Sequence, residues 1–215
     1  MRTALVAVDL QNDFCTGPVA AARPGGPAAL ARVVANTARA VGLAREAGVE
    51  VVFVRFAGDL AFQRPSWRRR DRLLGKRPKC LSGTWGAEFR GVAPADGERV
   101  FTKRACFDAF LAHGFGGYLR RRRIGHLVFA GVYADVCVDS TARTAFQKGF
   151  HVTVLTDCTT ALHRSDDETV RFMKVVYGAR TATHDQPASW AHFAGEEDEW
   201  TSRPEASKAE SAGRR

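Results

Sequence analysis

The sequence lacks the features that mark a disulfide-rich, zinc-binding or membrane-spanning chain. Its five cysteines are an odd number at irregular spacing and include no C-x-x-C pair, which excludes a regular disulfide framework and a zinc-site pattern. No apolar run approaches the roughly 20 residues of a membrane span. No positively charged, apolar signal segment opens the chain. We therefore expect a cytoplasmic protein that makes no membrane contact.

Acidic residues are fewer than basic ones, 23 against 32, and the formal net charge is +9. Such a balance can indicate nucleic-acid binding, but much of the excess lies in two local runs, residues 67–79 and 120–123. The second run is typical of a solvated helix end, where cations complement the helix dipole. Three interpretations of the first run are open: a surface loop, a segment that covers a site, or a contact for an anionic substrate. We predict no nucleic-acid partner.

The hydrophobic pattern alternates strands and helices. With 215 residues and 45% hydrophobic content, the chain suits one α/β domain, which we expect at residues 1–194, followed by a polar, disordered tail at 195–215. Near-continuous apolar runs are typical of parallel strands buried on both faces, and they predict a three-layer, doubly wound parallel sheet with helices on both faces. Strands are predicted at residues 3–10, 49–55, 99–103, 126–132, 150–155 and 180–183. Helices are predicted at 27–47, 110–123, 137–149 and 166–177.

Three reactive residues fall at or just beyond the carboxyl ends of predicted strands, where doubly wound sheets bind ligands. Asp9 closes the first strand, Lys103 ends the third, and Cys137 follows the fourth at a helix N-terminus. The helix dipole and free amides there predict a lowered thiol pKa and a site for an oxyanion. Taken singly, each residue also fits a structural role, as a core thiol, a solvated flank or a cap. Together they fit acyl transfer by a thiol nucleophile with a carboxylate base.

Four motifs carry a family resemblance. Residues 8–15 (VDLQNDFC), Lys103 within 101–110 (FTKRACFDAF) and residues 131–142 (GVYADVCVDSTA) resemble the isochorismatase-like cysteine hydrolases. Residues 80–89 (CLSGTWGAEF) resemble the G-T-x-G segment of members such as ureidoacrylate amidohydrolases and N-carbamoylsarcosine amidases. The resemblance covers roughly residues 3–185. It implies a sheet of strand order 3-2-1-4-5-6.

The resemblance also implies a mechanism. Cys137 would form a thioester with a small amide or ureido substrate, Asp9 would act as general base and then acid, and Lys103 would support both charges. A cis peptide between Val132 and Tyr133 would direct the Tyr133 and Cys137 amides to the oxyanion. The substrate-lining candidates are Phe14, Thr84, Trp85 and Phe110. Family members commonly form dimers or tetramers, so a homo-oligomer is expected.

Two departures from the family pattern concern the substrate and the metal. Nicotinamidases carry an Asp-x-His metal motif after the second strand, whereas residues 54–59 (VRFAGD) contain no histidine. We therefore expect no metal, no cofactor and no nicotinamide substrate. Tyr133 and Ala134 stand where amidases commonly have a smaller pair. The same G-V-Y-A segment opens the corresponding motif of siderophore-pathway isochorismatases, which leaves vinyl-ether hydrolysis as an alternative, although those enzymes lack the cysteine.

Two further alternatives come from the residues alone. Cys137 and Arg143 have the Cys-x5-Arg spacing of cysteine phosphatases, but the segment between them lacks glycine, contains Asp139 and has a helical pattern. A non-catalytic binding or scaffold protein would be expected to lose the three reactive residues, and all three are present. The other cysteines are assigned to packing, with Cys15 nearest the site. The sequence therefore favours a metal-independent amidohydrolase.

Overall fold

The computed structural model describes residues 1–23 and 25–193, which contain a single six-stranded sheet. Every pair of neighbouring strands is parallel, and the strand order is 3-2-1-4-5-6, which confirms the expected sheet. The predicted tail at 195–215 lies outside the described residues. The strands are β1 (Arg2–Val8), β2 (Glu50–Phe56), β3 (Arg99–Lys103), β4 (Ile124–Val132), β5 (His151–Thr160) and β6 (Arg180–Ala182).

Helices cover both faces of the sheet and make the three predicted layers. Leu5 and Ala7 of β1 pack in one apolar cluster with the long helix at residues 26–46, while Ala4, Val6 and Val8 pack in a second cluster with the helices at 115–121, 139–147 and 166–177. Each fully buried Val or Leu contributes about 1.5–3 kcal/mol, which explains why β1 is apolar at every position from residue 4 to residue 8. The helices are α1 (Asn12–Cys15), α2 (Gly17–Ala22), α3 (Gly26–Glu46), α4 (Pro65–Leu73), α5 (Phe115–Arg121), α6 (Asp139–Gln147), α7 (Asp166–Tyr177) and α8 (Pro187–Trp190).

The short helices α1, α2 and α8 were not predicted, and two further differences from the sequence prediction have local reasons. The helix expected from residue 110 begins at Phe115, because Gly114 is left-handed at φ 82° and a 3-10 turn, Ala109–Leu111, precedes it. Helix α4 lies in residues 56–97, for which no helix was predicted. It has no buried residue and its sequence, PSWRRRDRL, lacks an apolar face, so hydrophobic periodicity could not reveal it.

Gly131 lets the ends of β1 and β4 approach closely. Its φ is 113°, and a Cβ atom at this position would lie 2.0 Å from the Val8 carbonyl oxygen, which no side chain can satisfy. Val8 and Gly131 are direct partners in the β1–β4 register. The chain segments that follow the two strands therefore begin next to each other, and these segments carry Asp9 and Cys137.

None of the helices in residues 1–23 and 25–193 has the length and hydropathy that a membrane crossing requires.

Candidate active site

The structure brings Asp9, Lys103 and Cys137 into direct contact at the carboxyl edge of the sheet. Lys103 Nζ lies 2.5 Å from Asp9 Oδ2 and 3.5 Å from Cys137 Sγ. Asp9 and Lys103 are completely buried, and Cys137 is 9% exposed. Lys103 ends β3, two strands from β1, so its long side chain spans the end of β2 to reach Asp9. The sequence identified all three residues, and the sheet order explains how they meet.

Burial and charge act against each other in this cluster. Burial alone would lower the pKa of Lys103, but the Asp9 carboxylate and Cys137 outweigh it and raise that pKa, so the amine stays protonated. Burial raises the pKa of Asp9, and Lys103 lowers it in part. Asp9 Oδ1 is buried and has no hydrogen-bond partner within the described part of the chain. A carboxylate held by one oxygen therefore offers its second oxygen to an incoming proton.

The prediction of a lowered thiol pKa at Cys137 is wrong. Burial raises this pKa, with Asp9 adding to the rise and Lys103 offsetting part of it. The reason is tertiary, because the helix end that would stabilise a thiolate is covered by the sheet and its helices. The resting group is thus a thiol, and the thiolate requires proton transfer to a neighbouring base.

The turn that carries Cys137 has the backbone geometry expected around an oxyanion. The Val132–Tyr133 peptide is cis, and residues Ala134–Val138 form a π-helical turn before α6. The Val136 and Val138 amides donate to the Tyr133 carbonyl at 3.0 and 3.2 Å. The Tyr133 amide itself has no hydrogen-bond acceptor in residues 1–23 or 25–193. An unpaired backbone N–H is the kind of donor that an oxyanion hole requires.

A cavity of about 800 Å³ lies next to this cluster, and Phe56 and Tyr133 separate it from Asp9, Lys103 and Cys137, none of which is among its lining residues. Lys103 Nζ lies 5.1 Å from the centre of the Phe56 ring, which lines the cavity together with Tyr133 and the predicted Phe14. Sequence reasoning missed Phe56, although it ends β2 at the same sheet edge as Lys103 ends β3. Cys106 lines the cavity, whereas Cys15 is buried in the same apolar cluster as Tyr133, within electrostatic range of Asp9.

The other three substrate-lining candidates do not line this cavity. Phe110 packs against Phe115 and Phe150, with ring centres 5.0 and 6.0 Å apart, so it belongs to the apolar layer beside α5. Thr84 lies on an exposed loop, and the side chain of Trp85 is 58% exposed. The path of the chain in the tertiary structure decides which of these side chains face the cavity, and a sequence motif in a loop does not determine that path.

Polar side chains of the motif at residues 8–15 bind the backbone of the loop that carries Thr84 and Trp85. Gln11 Nε2 donates to the carbonyls of Phe56 and Ala87, both at 2.9 Å, and Gln11 Oε1 accepts from the Phe56 amide. Asn12 Nδ2 donates to the Trp85 carbonyl at 2.8 Å, and Asp13 Oδ2 accepts from the Cys80 amide at 2.6 Å. The polar side chains after Asp9 therefore fix the end of β2 and residues 80–88 around the site.

One group in the described ranges has the donor set of a metal site. Atoms of Asp157, Cys158 and His184 lie within 4.8 Å of one another. They already bond to each other, with His184 Nδ1 at 2.5 Å from Asp157 Oδ2 and Cys158 Sγ at 3.5 Å from Asp157 Oδ1. None of the three lines the cavity beside Cys137. Asp59, near the position of the nicotinamidase motif, instead accepts hydrogen bonds from Ser82.

Comparison with known proteins identifies the family. The isochorismatase domain model matches residues 3–186, and the chain belongs to the isochorismatase family. The ureidoacrylate amidohydrolase of Serratia proteamaculans is 31% identical over 173 residues, which are 74% of this chain and 69% of that protein. The isochorismatase family protein of Desulfovibrio vulgaris superposes with a TM-score of 0.72 at 29% identity, covering 87% of this chain and 96% of that one. The N-carbamoylsarcosine amidase of Thermoplasma acidophilum gives 0.72 at 26% identity, over 91% and 100%.

The acid limb of the pH profile should report Asp9. In the predicted mechanism the Asp9 carboxylate accepts the thiol proton, and burial raises the pKa of Asp9 above the ordinary 3.8. We expect kcat/KM for an uncharged amide to fall as the pH drops, with an apparent pKa above that of an exposed aspartate. Because burial also raises the pKa of Cys137, kcat/KM should not increase with a midpoint near about 8.5, the pKa of a free thiol. Initial rates between about pH 4 and about pH 10 test this, and a rise with that alkaline midpoint would contradict it.

Proposed function

We propose that this chain is a cysteine hydrolase that cleaves a C–N bond of a small amide or ureido compound through a thioester at Cys137. One observation carries the proposal: a fully buried Lys103 contacts both the Asp9 carboxylate and the Cys137 sulfur. A buried ion pair needs no neighbouring thiol for its stability, so a thiol placed at this pair is best explained by chemistry. The family membership and the similarity to amidohydrolases support it.

In the proposed first half-reaction, Asp9 Oδ1 accepts the proton of Cys137 Sγ, and the sulfur attacks the substrate carbonyl carbon. The carbonyl electrons move to the oxygen, where the Tyr133 and Cys137 amides stabilise the oxyanion. The tetrahedral intermediate collapses as the C–N bond breaks. Asp9 returns its proton to the leaving nitrogen, and ammonia or an amine departs from the thioester.

In the second half-reaction, the Asp9 carboxylate accepts a proton from water, whose oxygen attacks the thioester carbonyl carbon. The C–S bond breaks, the sulfur recovers the proton from Asp9, and the carboxylic or carbamic acid leaves. Lys103 keeps its proton throughout, because its raised pKa favours the ammonium form. Every step uses side chains and amides of this chain, and we propose neither a metal nor a cofactor.

The alternatives fit the geometry less well. A cysteine phosphatase needs Arg143 turned toward the thiol, but this guanidinium binds Asp139 and lies 4.9 Å from the centre of the Phe172 ring. A vinyl-ether hydrolase of the isochorismatase type would not need the Cys137 thiol. A binding or scaffold protein would not need the buried contact of Lys103 with that thiol.

We further propose that the enzyme works in the cytoplasm as a homo-oligomer, a dimer or a tetramer. All five cysteines are free, which fits a reducing compartment. Val175 and Val176 on α7 are 76% and 51% exposed, and apolar side chains of this kind support a subunit contact.

Trapping the thioester tests the proposed function. Wild-type protein is incubated with a panel of amides, ureides and isochorismate, and ammonia release identifies a substrate. With that substrate, rapid acid quench followed by mass spectrometry should find an acyl group on Cys137, and hydroxylamine should divert it to a hydroxamate. The Cys106→Ala variant, which removes the thiol that lines the cavity, should still form the adduct. Turnover of isochorismate alone, or an adduct on Cys106, would refute the proposal.

A further inference from the structure

The basic segment at residues 67–79 forms a wall of the cavity beside Cys137. Its lining includes the cations Arg70, Lys76, Arg77 and Lys79. The same lining contains a single acidic side chain, Asp71. A neighbouring groove is also basic and shares Lys76, but the cavity that Phe56 and Tyr133 line is the one next to Cys137. Its four cations therefore set the charge that a ligand meets there.

Of these four cations, Asp71 forms an ion pair with Arg70 alone. Its Oδ1 accepts from Arg70 Nη2 at 2.7 Å, and its Oδ2 accepts from Trp67 Nε1 at 2.9 Å. Arg70 also lies 5.6 Å from the centre of the Phe107 ring, so its position is set by two neighbours. Lys76, Arg77 and Lys79 form no ion pair with any residue of the described ranges. Three positive charges thus remain available to a ligand.

Aromatic rings connect this wall to the reactive residues. The Phe56 ring lies beside Lys103 Nζ and packs against Trp67 of α4, with ring centres 5.5 Å apart. On its other side it packs against Phe14 at 5.9 Å. Phe107 and Tyr133 complete the aromatic part of the lining. A ligand with its carbonyl at Cys137 would therefore lie along aromatic surface before it reached the cations.

We propose that the substrate of this enzyme is an amide or ureide with an apolar body and an anionic group at its far end, which Lys76, Arg77 and Lys79 bind. This inference rests on the proposed function for the reacting end of the molecule. The anion is complementary in charge to these cations, which an uncharged amide of the same size is not. The aromatic lining accommodates an apolar body of more than two carbon atoms. Helix α4 and the residues after it then determine specificity without taking part in bond cleavage.

Matched substrate pairs test the proposal. Aromatic primary amides and ureides are assayed as carboxylates and as methyl esters, for example 4-carbamoylbenzoate and 4-ureidobenzoate with their esters, and ammonia release is measured. We expect kcat/KM to favour the carboxylates by at least about tenfold, mostly through KM, since each half-exposed ion pair contributes a few-fold. Added salt should reduce this preference, because the cations are partly exposed and are screened.

Two charge-matched variants locate the effect. The Lys76→Ala/Arg77→Ala/Lys79→Ala variant should lose the carboxylate preference. The Arg32→Ala/Arg39→Ala/Arg69→Ala variant removes the same charge from exposed arginines that do not line the cavity, and it should keep the preference. Equal loss in both variants would assign the preference to net charge and overturn the proposal. Esters hydrolysed as well as carboxylates by the wild type would overturn it while the proposed function stands.

An equilibrium measurement separates this proposal from the chemistry. Calorimetry with Cys137→Ala protein and the carboxylate and ester of each pair measures binding without turnover. The carboxylate should bind more tightly than its ester, and the cavity triple substitution added to Cys137→Ala should remove the difference. If no compound releases ammonia with the wild type, the proposed function fails, and these dissociation constants alone decide whether the cavity selects anions. Equal binding of both forms would then refute the anion site.

Discussion

Cys137→Ala protein is expected to lose at least about 10⁴-fold in kcat/KM for any amide that the wild type hydrolyses. The thioester cannot form without Sγ, and water is a much weaker nucleophile than a thiolate. The Asp9–Lys103 pair does not depend on this atom, so the variant should fold with a loss of about 1 kcal/mol or less. Steady-state ammonia release and urea unfolding measure the two effects.

Cys137→Ser protein makes this prediction sharper. It keeps a polar atom at the same position, but a serine hydroxyl is a much weaker acid than a thiol. The groups that interact with this position in the described residues are Lys103 and Asp9, and neither is a histidine that could activate the hydroxyl. Its activity should therefore fall nearly as far as that of Cys137→Ala. Cys15→Ala, which removes a buried thiol whose pKa burial raises to about 12, serves as the control and should retain activity. Substantial turnover by either Cys137 variant would contradict a covalent mechanism.

Lys103→Met protein is expected to lose about 3–5 kcal/mol of unfolding free energy, because the substitution leaves Asp9 buried without its partner. Protonation relieves this cost. With Lys103 absent, the pKa of folded-state Asp9 lies further above its unfolded value, so stability is present below the unfolded pKa and is lost as the pH rises through the folded one. The variant should thus be more stable near about pH 5 than near about pH 8, as measured by urea unfolding at both values.

The double variant Asp9→Asn/Lys103→Met separates the ion pair from simple packing. It removes both buried charges, and asparagine suits the left-handed backbone of residue 9, whose φ is 52°. We expect it to recover most of the stability that Lys103→Met loses, because replacing a whole buried pair is often neutral. It should remain inactive, since neither a base nor a cation is left beside Cys137. A double variant as unstable as Lys103→Met would show that the loss came from packing.

If both stability results hold, the fold does not require the Asp9–Lys103 ion pair. Asp9 and Lys103 are the two completely buried charged partners at the site, and their attraction mainly offsets their own desolvation. The pair holds a carboxylate whose second oxygen is buried without a hydrogen-bond partner in the described residues, beside a thiol that is also buried. The same burial raises the pKa of Cys137, which makes the base necessary.

The sequence by itself determined the architecture and the three reactive residues. Apolar runs such as residues 4–8 can be satisfied only when both faces of a strand are covered, which requires a parallel sheet between helices. In such a sheet, residues just beyond the carboxyl ends of strands meet at one edge. Asp9, Lys103 and Cys137 could therefore be selected from their places relative to the strands, with no knowledge of distances.

Only the tertiary structure decided the direction of the Cys137 pKa and the lining of the cavity. A pKa depends on burial by parts of the chain remote in sequence, and here burial outweighs the helix end that local reasoning emphasised. The cavity wall comes from α4, which lacks an apolar face and so gave no periodic signal. Phe110, Thr84 and Trp85 looked like Phe14 in the sequence, but the direction of each loop placed them elsewhere, because side-chain orientation in a loop follows from long-range contacts and not from residue type.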